Sequence, residues 1–262
     1  MMHIKYTMVG MLIYATILLW LLSTLPRSTG VRWRRVCFFL GGVLMLAAFG
    51  FRWIETGHVP LQNLFDVFLA LGVSVVPLWW FCERYLGAGA LMSHAAAATA
   101  GVCVLIPAGL VFSADPQPLP PALQSPLFVP HVGAYMLAYM MLFLAGLTAA
   151  RQLFTGGERA ERLEQLSSRL VRLGFPLLTL GLVLGAAWGK LCWGDYWNWD
   201  PKELWSLATW LTFAAYLHWR SWHGGRFAKT NGVLVLLGVA CVILTLLWVN
   251  LSRLFPGMHA YA

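Results

Sequence analysis

The densest chemistry in this sequence lies in Trp193-Gly194-Asp195-Tyr196-Trp197-Asn198-Trp199-Asp200-Pro201-Lys202-Glu203-Leu204-Trp205, with four Trp and one Tyr in thirteen residues. Aromatic rings alternating with Gly, Asn and Asp make a flat, partly polar platform. Such a platform suits a large planar apolar ligand with a polar edge. Part of the segment has a structural account. Asp200 before Pro201, with Glu203 three residues after Asp200, reads as an N-cap, a proline at N1 and an acidic N3. Capping explains Asp200 and Glu203 better than acid catalysis does. It does not explain Trp193, Trp197 and Trp199, for which ligand contact is favoured over a membrane-interface belt. These three, with Asp200, are the cofactor-binding candidates of the segment.

The seven histidines give a second signal. His131 opens an apolar run, His259 lies nine residues past the last run, and His58 lies in the loop before the third. Taken singly, each reads as structural or solvated. Placed beside the tryptophan cluster, two neutral imidazoles facing each other are suited to axial ligation of a haem iron. His218 lies about 15 residues into the seventh run, ~22 Å along at 1.5 Å per residue. An ionisable residue at that depth is a functional candidate. His94 has a similar depth on the fourth run, but Ala95 to Ala98 after it suit close helix packing.

The elements that position these residues follow from composition. The chain has 262 residues, is 60% apolar and carries 11% charged residues. A soluble domain averages about 25% charged residues, so the expectation is an integral membrane protein. Eight apolar runs are long enough to span: 7–25, 36–54, 62–82, 88–112, 128–150, 173–191, 203–219 and 231–250. The fold expected is all-α, a polytopic helix bundle forming one membrane domain over 1–262. The first run is too long, and its flanks too poor in cleavage signals, for a signal peptide.

The loops after runs one, three, five and seven hold thirteen Lys and Arg, against five on the other side. That asymmetry places both termini outside the cytoplasm. It also accounts for most of the net charge of +8, so no nucleic-acid partner is needed. Residues 151–172 mix both charge signs, with Leu163, Leu166 and Leu170 at helical spacing, and predict a short amphipathic surface helix. Residues 113–130 hold six prolines and predict a stiff, extended connection. Pro107 and Pro176 fall near the ends of their runs. The five cysteines form no CxxC pair and read as small apolar residues.

The segment 193–203 resembles the tryptophan-rich WWD signature of the haem-handling proteins of cytochrome c assembly. Its Pro-Lys-Glu ending, with Thr209-Trp210-Leu211 and Tyr216-Leu217-His218, is similar to the CcsA/ResC branch of system II rather than to the CcmC branch. The likeness extends to Gly57-His58-Val59-Pro60-Leu61-Gln62-Asn63-Leu64-Phe65-Asp66, to Pro130-His131-Val132 with Tyr139, and to Gly257-Met258-His259-Ala260-Tyr261. It covers 57–262, with the WWD segment at 193–205. Phe65-Asp66 departs from the family's usual Tyr-Glu, and Met258 from its usual Leu.

The resemblance implies that His131 and His259 are external iron ligands and that His218 is an intramembrane ligand on the haem's route. It implies haem b as cargo, a CcsB/ResB-type membrane partner, and apocytochrome c as client. Thiol-reducing proteins act indirectly. The expected location is a bacterial inner or plasma membrane or a thylakoid, with the site on the outer or lumenal face. Under this reading the chain is the haem-binding subunit of a cytochrome c haem lyase. It exports or presents haem for attachment to CxxCH motifs, and no side chain acts as a catalytic acid, base or nucleophile. Arg52, Lys190, Lys202 and Arg253 are candidates for propionate pairing and equally for interface roles. A CcmC-like carrier, a HemX-like membrane regulator and a small-solute transporter are rival readings. The Pro-Lys-Glu ending, the retained His and Trp residues, and the scarcity of mid-membrane charge disfavour them in turn.

Overall fold

The computed structural model describes residues 7–26, 28, 30–87 and 93–248. These form α1 (Met8–Ser23), α2 (Val31–Thr56), α3 (Leu64–Tyr85), α4 (His94–Leu110), α5 (Phe128–Leu153), α6 (Gly157–Trp193), α7 (Pro201–His223) and α8 (Ala228–Ile243). A 3-10 turn at Pro121–Gln124 precedes α5, and a π turn at Leu244–Trp248 follows α8. No strand occurs among the described residues.

Five of these helical stretches are long and apolar enough to cross a membrane: α2, α3, α5, α6, and Ala228–Leu247. Helices α1 and α4 are apolar but shorter. The seventh run behaves differently from the others. Helix α7 has 23 residues, but Lys202 and Glu203 at its start and His218, Arg220 and His223 toward its end leave it too polar for this group. The chain divides into two compact units, Met1–Pro120 and Pro121–Ala262, where the sequence reading treats 1–262 as one membrane domain.

The first unit holds α1 to α4. Side-chain oxygens of Thr7, Asn63 and Ser93 cap α1, α3 and α4, and Gly57 at φ +72° ends α2. Trp20 is fully buried and its indole N–H donates to the Phe38 carbonyl at 3.1 Å. A β-carbon on Gly41 or Gly101 would overlap this indole. Gly101→Ala is therefore expected to destabilise the protein by about 1–3 kcal/mol through overpacking. Thermal unfolding in detergent checks this. At the α2–α3 corner, Arg52 and Asp66 pair at 2.9 Å, and both are 1% exposed.

The second unit holds α5 to α8. Helix α6 merges two expected elements. The predicted surface helix within 151–172 and the sixth run form one helix of 37 residues. At 1.5 Å per residue it is ~55 Å long, well beyond the ~30 Å of a bilayer's hydrocarbon core. Pro176 is thus near mid-helix rather than near an end. The leucines at 163, 166 and 170 are buried, while Arg159, Arg162, Arg169 and Arg172 are exposed. Glu164, also buried, accepts from Arg220 of α7 at 2.6 and 3.1 Å and from Asn231 of α8 at 2.7 Å. This clasp ties three helices together at one end of the unit. Along the rest of α6, Gly174, Gly181 and Gly185 let its backbone approach Leu142, Tyr135 and His131 of α5. The expected extended connection holds for residues 113–120, after which the 3-10 turn leads into α5.

Candidate functional site

His131 is the fourth residue of α5. Pro130 is tolerated before it because the first turn of a helix needs no internal N–H donor. The imidazole is half-buried, and its Nδ1 lies 2.9 Å from the carbonyl oxygen of Gly181 on α6. A carbonyl can only accept, so Nδ1 carries the proton and Nε2 is the nitrogen suited to a metal. Trp188 stacks on the ring at 5.6 Å and 23°, and Tyr135 meets it edge-on at 5.1 Å and 87°. Trp188 is itself buried and donates its indole N–H to the Ala122 carbonyl at 3.0 Å. Gly185 sits under the imidazole, where a β-carbon would lie 2.5 Å from Cε1 and 2.9 Å from Nδ1. The ring is thus held on several sides in one orientation and one tautomer.

Trp188 also contacts Trp193, at 4.8 Å and 66°. Trp193 ends α6, where Gly194 takes φ +89° and turns the chain. His131 and Trp193 therefore belong to one aromatic assembly, continued inward by Tyr135 and Tyr139 at 5.2 Å. Trp188 is the bridge that sequence reasoning missed. A signal was present, because Gly181, Gly185 and Trp188 share one face of a helix at i, i+4, i+7 spacing.

Beyond the turn, Trp197 and Trp199 meet at right angles with centroids 6.0 Å apart. Trp197 is half-buried, whereas Trp199 is 68% exposed and holds φ +59°. Asp200 is buried as the N-cap of α7 and accepts from the Lys202 backbone N–H at 2.9 Å. Its partner in a closed capping box is Glu203. The capping reading of both carboxylates is what the geometry displays.

His218 stands apart from this assembly. It is on the exposed face of α7, 17 residues after Pro201, with Nδ1 at 2.8 Å from the Ala214 carbonyl. Trp222 lies edge-on at 6.5 Å. By the same tautomer argument, Nε2 is its metal-competent nitrogen. His259, the other expected axial ligand, lies outside the described residues, as does Arg253. His58 contacts the Val59 carbonyl through Nδ1 at 3.1 Å, and His94 is buried near Phe38. Of the candidate propionate partners, Arg52 is committed to Asp66, Glu55 and the Ala114 carbonyl. Lys190 donates to the Gly194 carbonyl and lies 5.5 Å over the Tyr196 ring. Lys202 has Asp200 as an electrostatic partner. The cysteines of the described residues are all free thiols.

The family model described as cytochrome C assembly protein matches residues 61–256. The cytochrome c biogenesis protein CcsA of Prochlorococcus marinus (strain MIT 9312) is 35% identical, over 92% of this chain and 90% of its own. The CcsA of Guillardia theta is 33% identical, over 94% of each chain. A solved structure of the cytochrome c haem lyase CcmF superposes with a TM-score of 0.64 at 20% identity. It covers 91% of this chain, and the chain spans 45% of that lyase. That likeness shows a shared helical fold. With the WWD segment inside the matched region, the chain belongs to the CcsA family of cytochrome c biogenesis proteins and is an integral membrane protein.

Proposed function

We propose that this chain holds haem b against the Trp193–Trp199 segment, with His131 and His259 as axial ligands. From there it presents the haem to the CxxCH segment of an apocytochrome c. Each haem vinyl group takes up one cysteine thiol by addition, S–C forming as H adds to the neighbouring carbon, so no net oxidation occurs. A CcsB/ResB-type membrane protein is the partner, and His218 on the exposed face of α7 is an earlier ligand on the haem's path. The arginine asymmetry supports an outer or lumenal location for the tryptophan-bearing end. In this reading the chain contributes positioning and control of the iron's ligands, not proton transfer.

The observation that carries the reading is the immobilised imidazole of His131. Its Nδ1 proton is fixed by the Gly181 carbonyl, and its face is packed by Trp188 of the same aromatic assembly that includes Trp193. A carbonyl behind the distal ring nitrogen is the usual support for a metal-ligating histidine. The donor set is chemically suited to a planar, iron-bearing aromatic ligand.

The test is a reduced-minus-oxidised absorption spectrum of the detergent-purified chain with its partner. A low-spin haem spectrum is expected. It should be lost in the combined His131→Ala and His259→Ala variant and regained with added imidazole. A complex without haem, or haem indifferent to both substitutions, overturns the reading.

A further inference from the structure

Glu203 makes one hydrogen bond more than a helix cap needs. In a capping box the N3 carboxylate accepts from the N-cap backbone N–H, here Asp200 at 3.1 Å. The same oxygen, Oε2, also accepts from the Asn198 N–H at 2.8 Å. The two N–H groups flank Trp199, the one described non-glycine residue with positive φ. The left-handed region is unfavourable for a bulky L-residue, and one that persists there must be held by its surroundings. Burial of the indole does not do the holding, because Trp199 is 68% exposed. A glycine or asparagine would occupy this backbone at less strain, so a tryptophan here points to a use for its ring.

We propose that Glu203 is a positioning residue for the tryptophan platform. Its carboxylate clamps the two N–H groups around Trp199 and so holds that indole outward, perpendicular to Trp197, against the bound haem. This rests on the haem-presenting function proposed above. Glu203 touches no haem atom in this account and acts through Trp199.

The experiment compares Glu203→Ala, Glu203→Gln, Trp199→Gly and the Trp199→Gly/Glu203→Ala double variant, each purified with the partner. Haem per folded protein and helix content are read for all. Amide hydrogen exchange over 194–205 is read in the parent and in Glu203→Ala. Glu203→Ala is expected to lose at least fivefold in haem occupancy with helix content kept, and to lose protection in 194–205. Glu203→Gln, whose amide oxygen can accept the same two bonds, stays within twofold of the parent. Trp199→Gly loses haem by itself, and adding Glu203→Ala then lowers it no further, because glycine adopts φ +59° unaided.

A Glu203→Ala protein that melts earlier but keeps its haem within twofold overturns the proposal and leaves Glu203 a helix cap. So does a loss that persists in full on the Trp199→Gly background. A parent complex without haem sinks the haem-presenting function. The clamp is then decided by exchange alone, and unchanged protection in Glu203→Ala overturns it.

Discussion

Asp66→Ala is expected to destabilise the first helical unit by about 3–5 kcal/mol, the scale for removing one partner of a buried ion pair. Arg52 is 1% exposed and its Nε donates to Asp66 at 2.9 Å. Its Nη1 reaches Glu55 at 3.0 Å and the Ala114 carbonyl at 2.6 Å. Of the two carboxylates only Asp66 is itself fully buried, since Glu55 is 34% exposed. Taking Asp66 away leaves a guanidinium in a dry site with one half-solvated counter-charge. Typical domains are stable by only about 5–15 kcal/mol, so the loss takes much of the margin. Thermal unfolding in detergent and the steady-state level of the protein in membranes are the measurements. Replacing both residues with apolar side chains of similar volume should recover most of the loss, because no unpaired ion is then left at the buried pair. A single variant that melts with the parent would show that water reaches Arg52 and that the pair is not dry.

This pair also shows where sequence reasoning stops. Asp66 is legible as a charged residue opening an apolar run, and Arg52 as a cation of the same side of the membrane. That the two neutralise each other depends on the α2–α3 corner, where Gly57 ends one helix and Asn63 caps the next. Spacing of 14 residues across a turn does not announce a contact. Once the corner is formed, Nε and Nη1 of Arg52 are both engaged within the first unit.

Helix positions were legible because each apolar run needs only its own residues. The runs at 36–54, 62–82 and 128–150 match α2, α3 and α5 to within several residues at each end. The error at α6 has a physical cause. Residues 151–172 and 173–191 differ in polarity, and polarity reports the solvent, not the backbone. No glycine with positive φ or unpaired turn interrupts the chain between Gly157 and Trp193, and Pro176 is absorbed within the helix. The boundary seen in composition is therefore a change of surroundings along a continuous helix. The capping motif at Asp200 and Glu203 was legible because it is local, four residues long and fixed by hydrogen-bond reach. Trp188 was not, because its role needs α5 and α6 side by side, which no local pattern specifies.

That pairing of α5 with α6 leads to the substitution with the sharpest expected consequence for the site, Gly185→Ala. The new β-carbon would lie 2.5 Å from Cε1 of His131 and 2.9 Å from Nδ1, against a side-chain ring that its neighbours hold in place rather than a flexible tip. Ordinary contact starts near 3.4 Å, so the imidazole has to move by roughly 1 Å, and a misplacement of that size at a reacting centre can cost about 100-fold in rate. Trp188 on its face and Tyr135 at its edge block easy escape, and movement stretches the Nδ1 bond to the Gly181 carbonyl. Alanine is the better helix former by about 1 kcal/mol, so α6 itself gains. The expected result is a folded protein with parent-like helix content, a weakened low-spin haem spectrum, and a fall of about 100-fold in holocytochrome formed in the presence of the partner. Added imidazole should restore part of the spectrum. Gly174→Ala, about three turns away on the same helix, is the control. It meets Leu142 at 3.1 Å and is expected to alter stability alone. If Gly185→Ala keeps the parent spectrum and yield, the orientation of His131 is not what sets the iron's ligation. The assignment of His131 as an axial ligand would then fail together with it.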